Sequence, residues 1–286
     1  MMKNLKRNKI RFAFFGTSHI AVYVLEELEH AGFVPTLVVT VPAKAKGRGL
    51  QAEPSAVEEW AKKREVVVAQ DWKAFESGTW DVAIVVDYGK ILPKKILEIP
   101  KRGFLNVHPS LLPRLRGPSP MRSAILNDEK KIGVTVMLVD EEMDHGPIVA
   151  QKVADVPGWP PCNSELERIL LGAGGKLLAQ ILPLWVNGEI EARPQNHDLA
   201  TFSEKFSKED GLLDLSADSY ENLLKIRAFE GWPGTYAFFE RAEKKLRTQI
   251  LDAHIESGRL VIDTVKPEGK KEMPYQDFLR SGAKNV

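Results

Sequence analysis

The sequence predicts an α/β chain: a doubly wound, mostly parallel sheet followed by a smaller β-rich domain. Three observations lead there. An apolar run ending in glycine, IRFAFFG (10–16), precedes apolar residues at helical spacing, IAVYVLEELEHAG (20–32), and then a second apolar run, FVPTLVVTV (33–41). Strand, helix and strand in this order imply parallel strands joined by a right-handed crossover. Beyond residue 208 the pattern changes to one helix (219–229) and short alternating runs, TYAFFE, LRTQILDAHI and RLVIDTVKP, which suggest a small barrel. Between the two lies EIEARPQNHDLATFSEKFS, polar, aperiodic and proline-bearing, which reads as a linker and divides the chain into 1–188, 189–207 and 208–286.

Composition narrows the function classes. At 286 residues the chain is long enough for a full core. Its 40 Lys and Arg nearly cancel 39 Asp and Glu, so net charge gives no push toward a polyanion, and any nucleic acid must be held by local patches. The single cysteine, Cys162, excludes an internal disulfide framework and a Cys-rich zinc site, and has no basic partner near it in sequence. The basic start, MMKNLKRNKIRF, lacks the apolar stretch of a signal peptide. No apolar run approaches the ~18 residues of a membrane span. A cytoplasmic, monomeric protein without a membrane partner is expected.

The elements follow in order. GTSHIA after the first strand holds one glycine where a dinucleotide fingerprint needs three, so no nicotinamide cofactor is expected. PAKAKGRGLQAEPSAV (42–57) is a Pro/Gly-punctuated loop carrying Lys44, Lys46 and Arg48. Two readings stand: phosphate contacts that position a nucleic acid, or a solvated loop. Ser55 three residues before Glu58 is a capping-box pattern. EVVVAQ and DVAIVV are further strands. Asp87, Tyr88 and Gly89 sit at the carboxyl end of the second, where open α/β sheets place ligands.

ILPKKILEIPKRG (91–103) reads as a short helix and turn feeding the central stretch, LNVHPSLLPRLRG (105–117). Asn106 and His108, at i and i+2, share one face of a strand while Val107 takes the other. Pro109 ends regular pairing. A carboxamide donor and a titratable ring at a strand end suit polarisation of a carbonyl; the spacing alone fits equally a buried pair satisfying each other. Arg114 and Arg116 form a phosphate patch or brace a loop. PSPMRSAILNDEKK (118–131) is a helix with proline in its first turn, with Met121, Ala124, Ile125 and Leu126 facing the sheet.

IGVTVMLVD is another strand, and EEMDHGP places Asp144 in a glycine-bearing turn. Asp140, Glu141, Glu142 and Asp144 crowd this loop beside His145 without a recognised ligand spacing, so no metal is expected. IVAQKVADVPG adds a last strand or pair. SELERILLGAGGKLLAQILPLWVNG (164–188) is a long helical tract whose Gly-Ala-Gly-Gly centre marks a break or a close packing point.

NVHPSLLPRLRG (106–117) resembles the signature N-x-H-x-S-L-L-P-x-x-R-G of the folate-dependent formyltransferases. GVTVMLVDEEMDHGPIVAQ resembles the family segment that carries the catalytic aspartate. FAFFGT, the GRG loop and VVVDYGKILP also fit. IRAFEGWPGTY and KPEGKKEMPYQDFLRSG resemble the second domain of the methionyl-tRNA formyltransferases, so the resemblance covers nearly the whole chain. It implies a Rossmann-like formyltransferase fold with an OB-like barrel behind it. The family's second domain is longer, and the stretch 255–265 lacks a hairpin's worth of chain.

By the same resemblance the chain transfers the formyl group of 10-formyltetrahydrofolate to the amino group of methionyl initiator tRNA. Asn106, His108 and Asp144 take the catalytic positions. Ser110, Leu111, Leu112, Pro113, Tyr88 and Gly89 frame the folate site, and Arg48, with Lys44 and Lys46, reaches the tRNA. Asp87 departs from the small residue usual before Tyr-Gly. In an acyl transfer of this kind, Asn106 donates to the developing oxyanion and His108 stabilises the same oxygen and serves as general acid. Asp144 orients His108 and favours its protonated form. The amine itself attacks, so no enzyme nucleophile is needed. The alternatives are a sugar-nucleotide amine formyltransferase, which shares the triad, and a non-catalytic folate- or RNA-binding relative.

Overall fold

The structure, a computed structural model, describes residues 10–42, 44–46 and 51–285, with only the backbone described at 44–46, 51, 52 and 285. The elements in order are β1 (Phe12–Gly16), α1 (His19–His30), β2 (Leu37–Val39), β3 (Lys44–Lys46), β4 (Gln51–Glu53), α2 (Ala56–Lys62) and β5 (Val67–Ala69). Then come α3 (Lys73–Glu76), β6 (Val82–Val86), α4 (Lys94–Leu97), β7 (Phe104–His108), α5 (Pro120–Leu126), β8 (Gly133–Leu138), β9 (Ile148–Val153) and α6 (Asn163–Asn187). The chain finishes with α7 (Ser219–Ala228), β10 (Thr235–Arg241), β11 (Lys244–Glu256), β12 (Arg259–Pro267), β13 (Met273–Pro274), α8 (Tyr275–Arg280) and β14 (Lys284–Asn285).

Two compact units result. The first takes the chain up to Gly117 with Ile132–Asp155 and Glu167–Phe202; the second takes Pro118–Lys131, Val156–Leu166 and everything from Ser203. The stretch read as a linker is divided between them at Phe202. Its first part is anchored in the first unit, where Arg193 bridges Ile148 and Arg116 bridges Phe202.

The first unit is built on a seven-stranded sheet of order β5-β2-β1-β6-β7-β8-β9. Strands β5 to β7 are parallel, as the strand-helix alternation requires; β8 and β9 are antiparallel, because each follows its predecessor without a crossover helix in this sheet. Both sides of the central strands are buried, and one side packs Phe15, Phe75, Trp80, Tyr88 and Phe104 into a single aromatic cluster. Ser55 caps α2 as its spacing implied, its Oγ accepting the Glu58 N–H at 3.0 Å.

Helix α6 runs unbroken through its glycines, and the glycines explain its depth. A Cβ at Gly174 would collide with Val107 Cγ1 of β7, and one at Gly175 would lie 2.7 Å from Glu27 Cβ and 3.1 Å from Val24 Cα of α1. The helix backbone is thereby seated directly on the sheet and on α1. The sequence reading missed how apolar this helix is: its glycines and alanines broke up the visible run. An 18-residue window averages a hydropathy of 1.6, enough in length and composition to cross a membrane. With 56% of that window buried inside the protein, α6 is a core helix.

The second unit holds a five-stranded antiparallel sheet of order β13-β12-β11-β10-β14. Ala242 and Glu243 turn β10 into β11, and Ser257 and Gly258 turn β11 into β12, all four with positive φ as two-residue hairpin turns demand. Ile226, Phe239, Ile250, Val265 and Phe278 form its core. Asp218 caps α7 by accepting from the N–H groups of Tyr220 and Glu221. One expectation is corrected here: α5 does not face the parallel sheet but packs on α7 within this unit. Its apolar stripe fits either surface, and the stripe alone does not choose.

Candidate active site

Strands β6 and β7 are parallel neighbours, so the loops leaving their carboxyl ends open on one edge of the sheet. Val107 points to α6 and lies against Gly174, which sends Asn106 and His108 to the opposite face. Asn106 is half-buried, and among the described residues its carboxamide has no protein hydrogen-bond partner. His108 is only 4% exposed. Its Nε2 donates to the Leu115 carbonyl at 2.9 Å, which fixes a proton on that nitrogen, since a carbonyl only accepts. Its Nδ1 faces Asp144 Oδ1 at 3.5 Å. Of the three residues named from sequence, His108 and Asp144 therefore meet, and Asn106 lies on the same face of β7 as His108.

Each partner of His108 sits on strained backbone. Leu115 has φ +56° and Asp144 φ +52°, conformations that cost a non-glycine residue about 1–2 kcal/mol. Local bonds hold both. The Leu115 N–H donates to Thr201 Oγ1 at 2.9 Å, and the Arg116 N–H donates to the Thr201 carbonyl at 2.9 Å. Asp144 Oδ2 accepts the N–H of Gly117 at 2.7 Å, a contact made possible by the glycine's φ of +108°.

The turn Ser110–Pro113 is organised by Thr135, whose hydroxyl is wholly buried. It donates to the Ser110 carbonyl at 2.7 Å and accepts from the Leu112 N–H at 3.1 Å and from Gln151 Nε2 at 2.9 Å. Gln151 also donates to the Leu112 carbonyl at 2.7 Å. Ser110 Oγ donates to the Arg114 carbonyl at 2.6 Å.

Arg116 settles the two readings of the arginines in its own case: it braces. Only 5% exposed, it donates through Nε and a terminal nitrogen to Gln195 Oε1 at 3.2 and 2.7 Å, and to His197 Nδ1 at 2.8 Å. Gln195, equally buried, donates to the carbonyls of Asp144 and Gly146 at 2.8 Å each. His145 is held by Asp140 at 2.7 Å and stacks on His197, ring centroids 4.1 Å apart. Among the described residues no three His, Cys, Asp or Glu side chains converge as metal ligands.

Cys162, in the second unit, does have a basic partner: Arg227, 65 residues away, donates to its Sγ at 2.9 Å. Burial nevertheless pushes the thiol up from its ordinary range, with Arg227 opposing. A thiol held up in this way makes a poor nucleophile.

The sequence matches the formyl transferase family over residues 8–180, well over half of the chain. A methionyl-tRNA formyltransferase of Chloroflexus aurantiacus is 40% identical over 241 residues, covering 80% of this chain and 76% of that protein. One of Roseiflexus castenholzii is 33% identical over 303 residues, covering 95% and 96%. The chain belongs to the methionyl-tRNA formyltransferase family. Among solved structures, an N-formyltransferase from Helicobacter canadensis in complex with folinic acid and dTDP-3-aminofucose matches with a TM-score of 0.64. At 20% identity, over 86% of this chain and 89% of that one, it shares the formyltransferase fold.

In this family member the residues assigned to the folate site by resemblance have different fates. Tyr88 is 2% exposed, packs edge-on against Phe15, and its hydroxyl accepts the Trp72 indole N–H at 3.0 Å, so its side chain belongs to the core and only its main chain is left to face a ligand. Ser110 and Leu112 are buried and their polar groups serve the turn. Leu111 and Pro113 are half-buried, and Gly89, at φ +79° with open space beside its Cα, stays exposed with Ile91 close by in sequence. Lys44 and Lys46 lie on β3, paired antiparallel with β4. Their side chains, and Arg48 altogether, lie outside the described residues. Sequence reading passed over Leu115, Thr135, Gln151, Gln195 and Thr201. Only Arg116 carried a local signal, its place in the R-G ending of the motif.

Proposed function

We propose that this chain transfers the formyl group of 10-formyltetrahydrofolate to the α-amino group of methionyl initiator tRNA. The observation that carries the proposal is the Asn106 carboxamide, left without a hydrogen-bond partner among the described residues at a strand end beside the His108–Asp144 pair. A half-buried donor held in reserve suits an oxygen that arrives with the substrate. The co-substrate supplies the formyl group; Leu111, Pro113 and the main chain of Gly89 are the groups placed to hold it.

Asn106 then donates to the formyl oxygen as the amine attacks and negative charge gathers there. His108, kept in place from behind by the Leu115 carbonyl, presents Nδ1 on the side of Asp144. A proton on Nδ1 is available to the same oxygen or to the leaving nitrogen. Asp144 keeps that proton paired and receives the amine's proton directly or through water. The methionyl-tRNA acceptor follows from the relatives' substrate. With it go an OB-like second domain (208–286) behind a catalytic domain (1–188), a tRNA-facing role for Lys44, Lys46 and Arg48, a monomeric state and a cytoplasmic site of action.

The test offers charged initiator methionyl-tRNA and an amino-sugar nucleotide in parallel with 10-formyltetrahydrofolate. Formylation of the tRNA alone supports the proposal. Formylation of the sugar alone reassigns the acceptor, and transfer to neither overturns it.

A further inference from the structure

We infer that Gln195 is a positioning residue for the catalytic aspartate, acting through its two donor hydrogens on the Asp144 turn; this rests on the formyl-transfer reading above. The Gln195 side-chain amide is used on every side. Its Nε2 bridges the carbonyls of Asp144 and Gly146, 2.8 Å from each, and its Oε1 takes two N–H groups of Arg116. Asp144 is held at φ +52°, a conformation that its own chain does not favour and that neighbouring bonds must impose. The Gly117 N–H fixes the carboxylate and Gln195 fixes the main chain beneath it. With both bonds in place, Oδ1 is delivered toward His108 Nδ1. Buried polar groups that satisfy one another this completely rigidify what they connect.

The chemistry of the amide supplies the test. In Gln195→Glu one carboxylate oxygen still accepts from Arg116, while the other confronts two carbonyl oxygens and can donate to neither. The variant keeps the brace and removes the clamp. Gln195→Ala removes both and leaves Arg116 buried without that partner, which destabilises the fold and confounds the readout, so Gln195→Glu decides.

The expected result for Gln195→Glu is a fall in kcat of about 10- to 100-fold at neutral pH, the range that slight misplacement of a catalytic group produces. KM for both substrates stays within about twofold. In an Asp144→Asn background the same change costs no more than about twofold, since it acts through a group already disabled. Amide exchange at Gly117, followed by NMR, becomes about tenfold faster or more, because its acceptor is no longer held. This last readout needs no turnover, so it tests the clamp even if wild-type protein formylates no amine and the functional reading itself fails. Wild-type kcat with unchanged Gly117 protection in Gln195→Glu would overturn the inference, and so would a full, additive loss in the Asp144→Asn background.

Discussion

His108 Nε2 donates to the main-chain carbonyl of Leu115 at 2.9 Å, and Leu115 holds that carbonyl in place from a left-handed conformation, φ +56°. The His108 ring is thus aimed by backbone as well as by Asp144. This separates the two residues of the N-x-H pair energetically. Replacing His108 with alanine leaves a buried carbonyl without a partner, which costs about 1–3 kcal/mol in addition to the loss of transfer. Asn106→Ala, with no side-chain bond to lose among the described residues, abolishes most activity and leaves the urea midpoint nearly unchanged. Equal destabilisation by the two would refute the distinction. Asp144→Ala loses activity too, and the three losses are non-additive if the residues act as a unit.

Thr135 is predicted to support the Ser110–Pro113 turn. Its hydroxyl makes three bonds, to the Ser110 carbonyl, the Leu112 N–H and Gln151. Thr135→Val keeps the shape and removes all three bonds, so a loss of about 1–3 kcal/mol is expected by urea unfolding. KM for 10-formyltetrahydrofolate should rise more than kcat falls. Unchanged stability would mean the turn is held elsewhere.

The glycines of α6 are predicted to respond in opposite directions. A Cβ at Gly172 would meet only Glu27 Oε1, at 3.9 Å, so Gly172→Ala gains helix propensity and stabilises by about 0.5–1 kcal/mol. Gly174→Ala drives a methyl into Val107, the residue between Asn106 and His108, and its overpacking cost of about 1–3 kcal/mol outweighs that gain. Thermal melts of the two variants, with kcat for Gly174→Ala, check both signs; kcat should drop as β7 is displaced.

Acid stability should depend on Glu29. Arg64 reaches across from the end of α2 and contacts both carboxylate oxygens at 2.7 Å, and this hydrogen bonding holds Glu29 below the usual carboxylate value of 4.5. A carboxylate whose folded value is depressed contributes stability above its unfolded value, and that contribution disappears as pH falls through the folded one. Wild type and Glu29→Gln should therefore differ at pH 7 and converge only as pH falls below 4.5 and through the depressed folded value, as denaturation at a series of pH values would show. A gap that persists into acid would point to packing.

Much of this protein was legible in its residues. Apolar runs and helical spacing located the strands of the parallel sheet, because burial on both faces of a strand and on one face of a helix leaves a periodic record. The spacing of Asn106 and His108 placed them on one face, and the resemblance to a known motif picked out Asp144 from four acids in one loop. The tertiary structure alone decided what sequence distance hides. Gln195 lies in a stretch whose composition reads as linker, yet it is buried against residues 49 to 79 positions earlier. Tyr88 follows the carboxyl end of a parallel strand, where open α/β sheets place ligands, yet its ring faces the aromatic core. Helix α5 carries an apolar stripe that fits a sheet or a helix, and it chose α7. A local pattern records that a side chain is buried; which group it meets there depends on segments brought together only by the fold.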